Sequence, residues 1–282
     1  MFGLPWTILL PTLLGSVLAA MNCSVVGVFI VRMNLSSLGF AMSHAAFAGA
    51  ALGVAVAVPN PVWMALLFAI LAAAFLGPLA DASRLNIDSI IGAILPLTMA
   101  LGFVFLNKAP SGGIGSGALS LLWGSVLGIT MQQVWTLAAV ALGLAVLLAV
   151  FGKGFLAVLL DRKLAMATGI RAQGHFYAVL LMSAVVVSIS LRITGGLLIY
   201  ALMILPASTA LQWVYDIKKV FLLAPAIGIL GAVVGFLLSL AADLPIGSSI
   251  ALAACTLFLV SLALSPKRRR RSSRATGSDS CR

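Results

Sequence analysis

The sequence predicts an all-α polytopic membrane protein with about nine transmembrane helices, eight to ten being compatible with it. Three observations carry that prediction. Residues are 62% hydrophobic and only 8% charged, where a soluble domain is about half apolar and roughly a quarter charged. Apolar runs near the ~20 residues that cross a bilayer core as helix recur from one end to the other. The runs are continuous and rich in Ala and Leu, whereas a transmembrane β-barrel would alternate apolar and polar residues in strands of roughly ten.

The expected spans are 7–31, 38–58, 62–81, 87–106, 132–151, 175–191, 195–213, 219–241 and 248–264. No basic segment and no small-residue cleavage site accompany the first run, so it reads as a retained span. The piece "ALSLLWGSVLGIT" at 118–130 is too short to cross comfortably and carries Gly124 and Gly128, so it reads as re-entrant or interfacial. "NKAPSGGIGSG" at 107–117 has the Gly, Ser and Pro content of a flexible loop. In the long connection 152–175, an Asp start, good helix formers and a Gly stop predict a short helix from Asp161 to Ile170. Gly228, Gly231 and Gly235 in the eighth span have the small-residue spacing that lets helix backbones approach.

Orientation follows from the basic residues. Arg32, Arg84, Lys153, Arg162, Lys163, Arg171, Lys218, Lys219 and the tail fall on one side of this arrangement, and only Lys108 and Arg192 on the other. The positive-inside rule makes the first side cytoplasmic, with the N-terminus outside and the C-terminus inside a cell membrane. The chain thus divides into a transmembrane domain, 1–265, and a basic tail, 266–282, that lacks any apolar face to bury and is expected to be disordered. Beside so many apolar runs that tail is a topology signal rather than a nucleic-acid-binding arm.

Several chemistries are excluded by residue type. All six acidic residues are Asp, so the His-Glu-x-x-His helix of a metalloprotease cannot be built. Three scattered cysteines, Cys23, Cys255 and Cys281, make neither a disulfide framework nor a metal pattern, and no permanently bound cofactor is expected. "FGKGF" at 151–155 lacks the spacing and the Ser/Thr of a phosphate-binding loop, so the chain does not bind ATP by that motif. Ser43 and His44 are adjacent and point about 100° apart on a helix, so they form no catalytic dyad.

His44, in "LGFAMSHAAFAGAALG" at 38–53, is the most informative residue. An ionisable side chain inside a span is costly and faces the bundle interior or a pathway. With Ser43 beside it, and Asn22 and Cys23 midway along the first span, it is a candidate lining for a metal pathway, since neutral imidazole binds zinc, manganese or iron. An imidazole that hydrogen-bonds a neighbouring carbonyl and locks helix packing satisfies the same sequence. His175 opens the sixth span and reads as interfacial. In "ITGGLLIYALMILPASTALQW" at 193–213, Gly195 and Gly196 permit a tight entry, and Pro206 deletes a helix hydrogen bond and predicts a kink. That kink suits a moving gate or a static packing defect equally.

Six blocks in order, "LGFAMSHAAFAGAALG", "IDSIIGAILPLTMALG", "LLWGSVLGIT", "DRKLAMATGI", "GGLLIYALMILPASTA" and "ADLPIGSSIAL", together resemble the permease subunit of ABC importers for zinc, manganese or iron. The resemblance runs from about residue 10 to 262. It implies a homodimer of permeases, two cytoplasmic ATPase subunits that bind ATP, and an extracytoplasmic metal-binding protein that delivers the transported divalent ion. It also implies that the short helix, with Asp161, Arg162, Lys163, Leu164, Ala165, Gly169 and Ile170, is the coupling helix that docks on the ATPase. Alternating access driven by ATP is the implied mechanism. One departure stands out: relatives carry an acidic residue four positions before the histidine, and here that position is Phe40. The departure leaves room for a metal chelate or another small solute, or for a scaffold or sensor that does not transport.

Overall fold

The computed structural model describes residues 6–83, 87–108 and 129–265. Among them every regular element is an α-helix. These are α1 (Trp6–Arg32), α2 (Ser36–Ala55), α3 (Val62–Ser83), α4 (Ile87–Asn107), α5 (Met131–Leu160), α6 (Arg162–Ala167), α7 (Ala172–Thr194), α8 (Gly196–Trp213), α9 (Ile217–Ala242) and α10 (Ile246–Leu264). Seven of these are long and apolar enough to cross a membrane, and the shorter apolar stretches Pro61–Leu76 and Leu198–Trp213 coincide with much of α3 and α8. The fold is therefore that of a polytopic all-α membrane protein. The segment 118–128, most of the loop 107–117 and the tail 266–282 lie outside the described residues.

Burial sorts the helices into inner and outer ones. In α2, 78% of the most apolar window is buried, against 17% in α5. A helix apolar on all sides can be buried on all sides, and α2 is enclosed by α3, α4, α7 and α8. α1 is the other inner helix, packed on α5, α7, α8 and α9. Outer helices turn large apolar side chains outward, among them Trp135, Leu142, Leu222 and Leu259. Such a surface is untenable in water and suits a bilayer.

Small residues bring the inner helices into backbone contact. A side chain at Gly27 of α1 would overlap the Met203 carbonyl of α8, and one at Gly235 of α9 would overlap Ile250 of α10. Near the first of these, Pro206 leaves the carbonyl of Leu202 without its helical donor. Ser24 of α1, whose hydroxyl bonds Ala20 O at 2.6 Å, also lies 3.3 Å from that freed oxygen. The proline's missing hydrogen bond is thus met by the neighbouring helix.

The fifth span and the short helix after it are bounded differently from the sequence expectation. The fifth helix does not stop at residue 151 but runs to Leu160, because "FGKGFLAVLL" continues the apolar stripe past Lys153. The short helix is Arg162–Ala167 rather than 161–170. Asp161 lies just outside it in an extended conformation and accepts from the Leu164 N–H at 3.2 Å, the geometry of an N-cap. Gly169, at φ 82°, ends the turn: its N–H bonds Met166 O and the next N–H, of Ile170, bonds Ala165 O.

Candidate functional site

His44 lies inside the bundle, 2% exposed on α2. Neither of its ring nitrogens has a hydrogen-bond partner among the described residues. The carbonyl-locked alternative is therefore not what this structure contains. A buried imidazole left unbonded costs roughly 1–3 kcal/mol, a cost that a passing ligand would remove.

One aromatic ring packs on that imidazole. Phe40, one turn earlier, meets it edge-on with ring centroids 4.4 Å apart. Tyr200 of α8 meets Phe40 in turn at 5.2 Å. Phe40 and Tyr200 are both half-buried, whereas His44 is fully enclosed. Ser43 turns its hydroxyl back to Phe40 O at 2.8 Å and faces Gly196 of α8, where an added Cβ would meet it at an ordinary van der Waals distance of 3.7 Å.

The other two residues expected along a metal pathway have separate neighbours. Asn22 donates its side-chain N–H to Leu137 O of α5 at 3.1 Å. Cys23 is fully buried and faces the Ser190 hydroxyl of α7. The contacts of Asn22 and Cys23 thus run to α5 and α7, and those of Ser43 and Phe40 to α8. Among the described residues no group of three or more His, Cys, Asp or Glu side chains gathers as a preformed metal cage.

The turn from α7 into α8 is a single residue. Gly195 has φ 77° and ψ 157° and caps both helices, its N–H bonding Leu191 O and its carbonyl accepting from Ile199 N–H. Only glycine adopts that conformation without strain. Pro206 lies within α8, and beyond it Thr209 returns a hydroxyl bond to Leu205 O at 2.7 Å.

At the end of the bundle that carries Lys153, Arg171 and Lys218, α6 rests on α5 and α7. Ala165 is buried against Val158 and Ala172, with Ile170 packed on the same cluster. Leu164 and Met166 point away and are 67% and 52% exposed. A six-residue helix therefore presents two large apolar side chains outward, next to basic residues. The side chains of Arg162 and Lys163 lie outside what the structure describes.

Two features had no signal in the sequence. The Phe40–Tyr200 pair joins residues distant in the chain. His175, expected only to be interfacial, lays its ring directly on the backbone of Gly154.

Comparison with known proteins follows the same outline. The manganese transport system membrane protein MntC of Listeria innocua is 30% identical over 256 residues, covering 90% of each chain. MntC of Halalkalibacterium halodurans is 28% identical over 264 residues, 94% of this chain and 89% of that one. Among solved structures, PsaBC from Streptococcus pneumoniae in complex with Fab superposes with a TM-score of 0.84 at 26% identity, covering 94% of both chains. The model of the ABC 3 transport family matches residues 6–265, every membrane helix described above, and the chain belongs to that family.

Proposed function

We propose that the chain is the membrane-spanning permease subunit of an ATP-driven importer of divalent transition metal ions. The observation that carries this reading is His44: a buried imidazole with both nitrogens unbonded, within a family fold whose named relatives are manganese transport proteins. Neutral imidazole suits zinc, manganese and iron, and a conducting path needs few, weak ligands so that the ion can leave again. Two copies of the chain line one path, and His44 of each copy contributes one ligand to a transient site.

The energy comes from partners. An ATPase subunit on the cytoplasmic side takes α6 into a groove, where Leu164 and Met166 supply apolar contact and Asp161 and Gly169 fix the helix ends. An extracytoplasmic metal-binding protein delivers the ion at the opposite face. The end bearing Arg32, Lys153, Arg171, Lys218 and Lys219 is cytoplasmic by the positive-inside rule, so the C-terminus is inside and the N-terminus outside. On this reading α3 and α8 cross as well as the seven long helices, for nine spans in all, and the basic tail 266–282 follows them. Gly195, Gly196 and Pro206 form the pliant element beside Ser43 that opens and closes the path.

The test is uptake into proteoliposomes of the permease, its ATPase and its binding protein, with zinc, manganese and iron each supplied alone. ATP-dependent accumulation of at least one ion is expected. No accumulation of any of the three by an intact, ATP-hydrolysing complex would overturn the free-ion reading and turn attention to a chelate.

A further inference from the structure

His175 and Gly154 make an unusually close contact between the two helices that flank α6. A single carbon added at Gly154 would overlap His175 Nε2 and sit 3.0 Å from Cε1. The other ring nitrogen, Nδ1, donates to Arg171 O at 3.0 Å, which holds the ring across α5. Arg171 is the residue just before α7, so this bond ties the ring to the start of its own helix. The Gly-Lys-Gly sequence at 152–154 breaks no helix here. Its second glycine makes room for an imidazole.

The same ring begins a continuous series. His175 meets Phe155 edge-on at 5.0 Å, Phe155 meets Phe29 of α1 at 5.3 Å, and Phe29 meets Phe221 of α9 at 4.8 Å. Phe155 and Phe29 are 3% and 1% exposed, so the middle of the series is fully packed. Four rings thus connect α7, α5, α1 and α9 at the end of the bundle where α6 sits. Close-packed rings transmit displacement because no void lies between them to absorb it.

We propose that His175 seated on Gly154 is a positioning clasp at the base of α6, and that the rings of His175, Phe155, Phe29 and Phe221 carry the displacement of α6 into α1 and α9. The inference rests on the reading of α6 as the coupling helix. His175 acts by keeping α5 and α7 in register, so that a push on α6 moves the bundle instead of bending its own connection.

The experiment uses the assembled permease–ATPase complex, with Cys255 and Cys281 replaced by Ser, the fully buried Cys23 left in place, and one spin label per permease copy. Thr168→Cys, in the turn that ends α6 and outside the pair Leu164 and Met166 assigned to the ATPase groove, reports the movement of α6, and Leu222→Cys, beside Phe221, the movement of α9; both positions are exposed. Distances between copies are read by pulsed electron resonance, without nucleotide and with ATP plus vanadate. Both distances are expected to shift on trapping. In His175→Ala the shift at 168 persists, while the shift at 222 falls by at least about half. His175→Phe keeps a ring against Phe155 and retains most of the shift. Gly154→Leu expels the ring and reproduces His175→Ala, and the double variant is no worse than either single one. A full shift at 222 in His175→Ala would overturn the clasp, as would strict additivity of the two variants. Absence of any shift at 168 in the parent complex would instead overturn the coupling-helix reading on which the clasp rests.

Discussion

The rings of Phe40 and His44 lie on consecutive turns of α2, at 88° to each other with centroids 4.4 Å apart. An edge-on aromatic contact of this kind contributes about 0.5–1.5 kcal/mol beyond the area it buries. It leaves both imidazole nitrogens without a hydrogen bond, so it holds the ring in place without occupying its ligand positions. His44→Ala removes the imidazole proposed as a ligand and leaves the side chains of Ser43 and Phe47 in place. ATP-dependent metal uptake in proteoliposomes is expected to fall at least about tenfold, a change of ~1.4 kcal/mol in binding. Assembly with the ATPase should be unchanged by size-exclusion chromatography. Uptake at the parent rate would reduce His44 to a packing residue.

If the proposed ion path passes His44, the residue at position 40 is the place to test ion preference. A carboxylate one turn from an imidazole faces the same side of a helix and adds a hard oxygen ligand, which manganese favours more strongly than zinc does. Phe40 is half-buried against Tyr200, so a charge placed there retains access to water. Phe40→Asp is expected to raise the ratio of manganese to zinc uptake in competition assays. An unchanged ratio would show that the ion does not visit this turn of α2.

How much of this was legible in the sequence depends on the range of the interaction. The membrane helices follow from apolar runs of bilayer length, a property each segment carries alone. α6 was legible because Asp161 and Gly169 mark its ends through local backbone hydrogen bonds. The end of α5 was misplaced by nine residues because Gly152, Lys153 and Gly154 resemble a loop. Gly154 is there to admit His175, and that reason lies on another helix. The same holds for the site: His44 stood out as an ionisable residue in an apolar run, whereas the ring of Tyr200 over Phe40 is a tertiary contact with no local trace. Asn22 was legible as a buried polar residue, but the carbonyl that takes its N–H belongs to α5.

Gly169 tests the docking of α6. At φ 82° any L side chain is strained, by roughly 1–2 kcal/mol. Gly169→Glu adds a carboxylate beside the surface formed by Leu164 and Met166. ATP hydrolysis by the complex is expected to continue while metal transported per ATP falls severalfold. Gly169→Ala, which carries the strain without the charge, should fall less. Unchanged stoichiometry in both would remove α6 from the transmission path.

The contact between α1 and α8 is an approach of backbone to backbone. A side chain at Gly27 would overlap the Met203 carbonyl, which is backbone and cannot rotate aside. Separating the helices to make room would also draw Ser24 away from the Leu202 oxygen that Pro206 leaves free. Overpacking a core usually costs about 1–3 kcal/mol, and a lost hydrogen bond to a buried carbonyl adds about 1 kcal/mol. Gly27→Val is therefore expected to lower the thermal midpoint of the detergent-solubilised permease by several degrees or to prevent its accumulation in the membrane. Gly92 meets nothing within 4 Å, so Gly92→Val should leave the midpoint near that of the parent. If the two variants melt together, the backbone contact at Gly27 contributes nothing to holding α1 against α8.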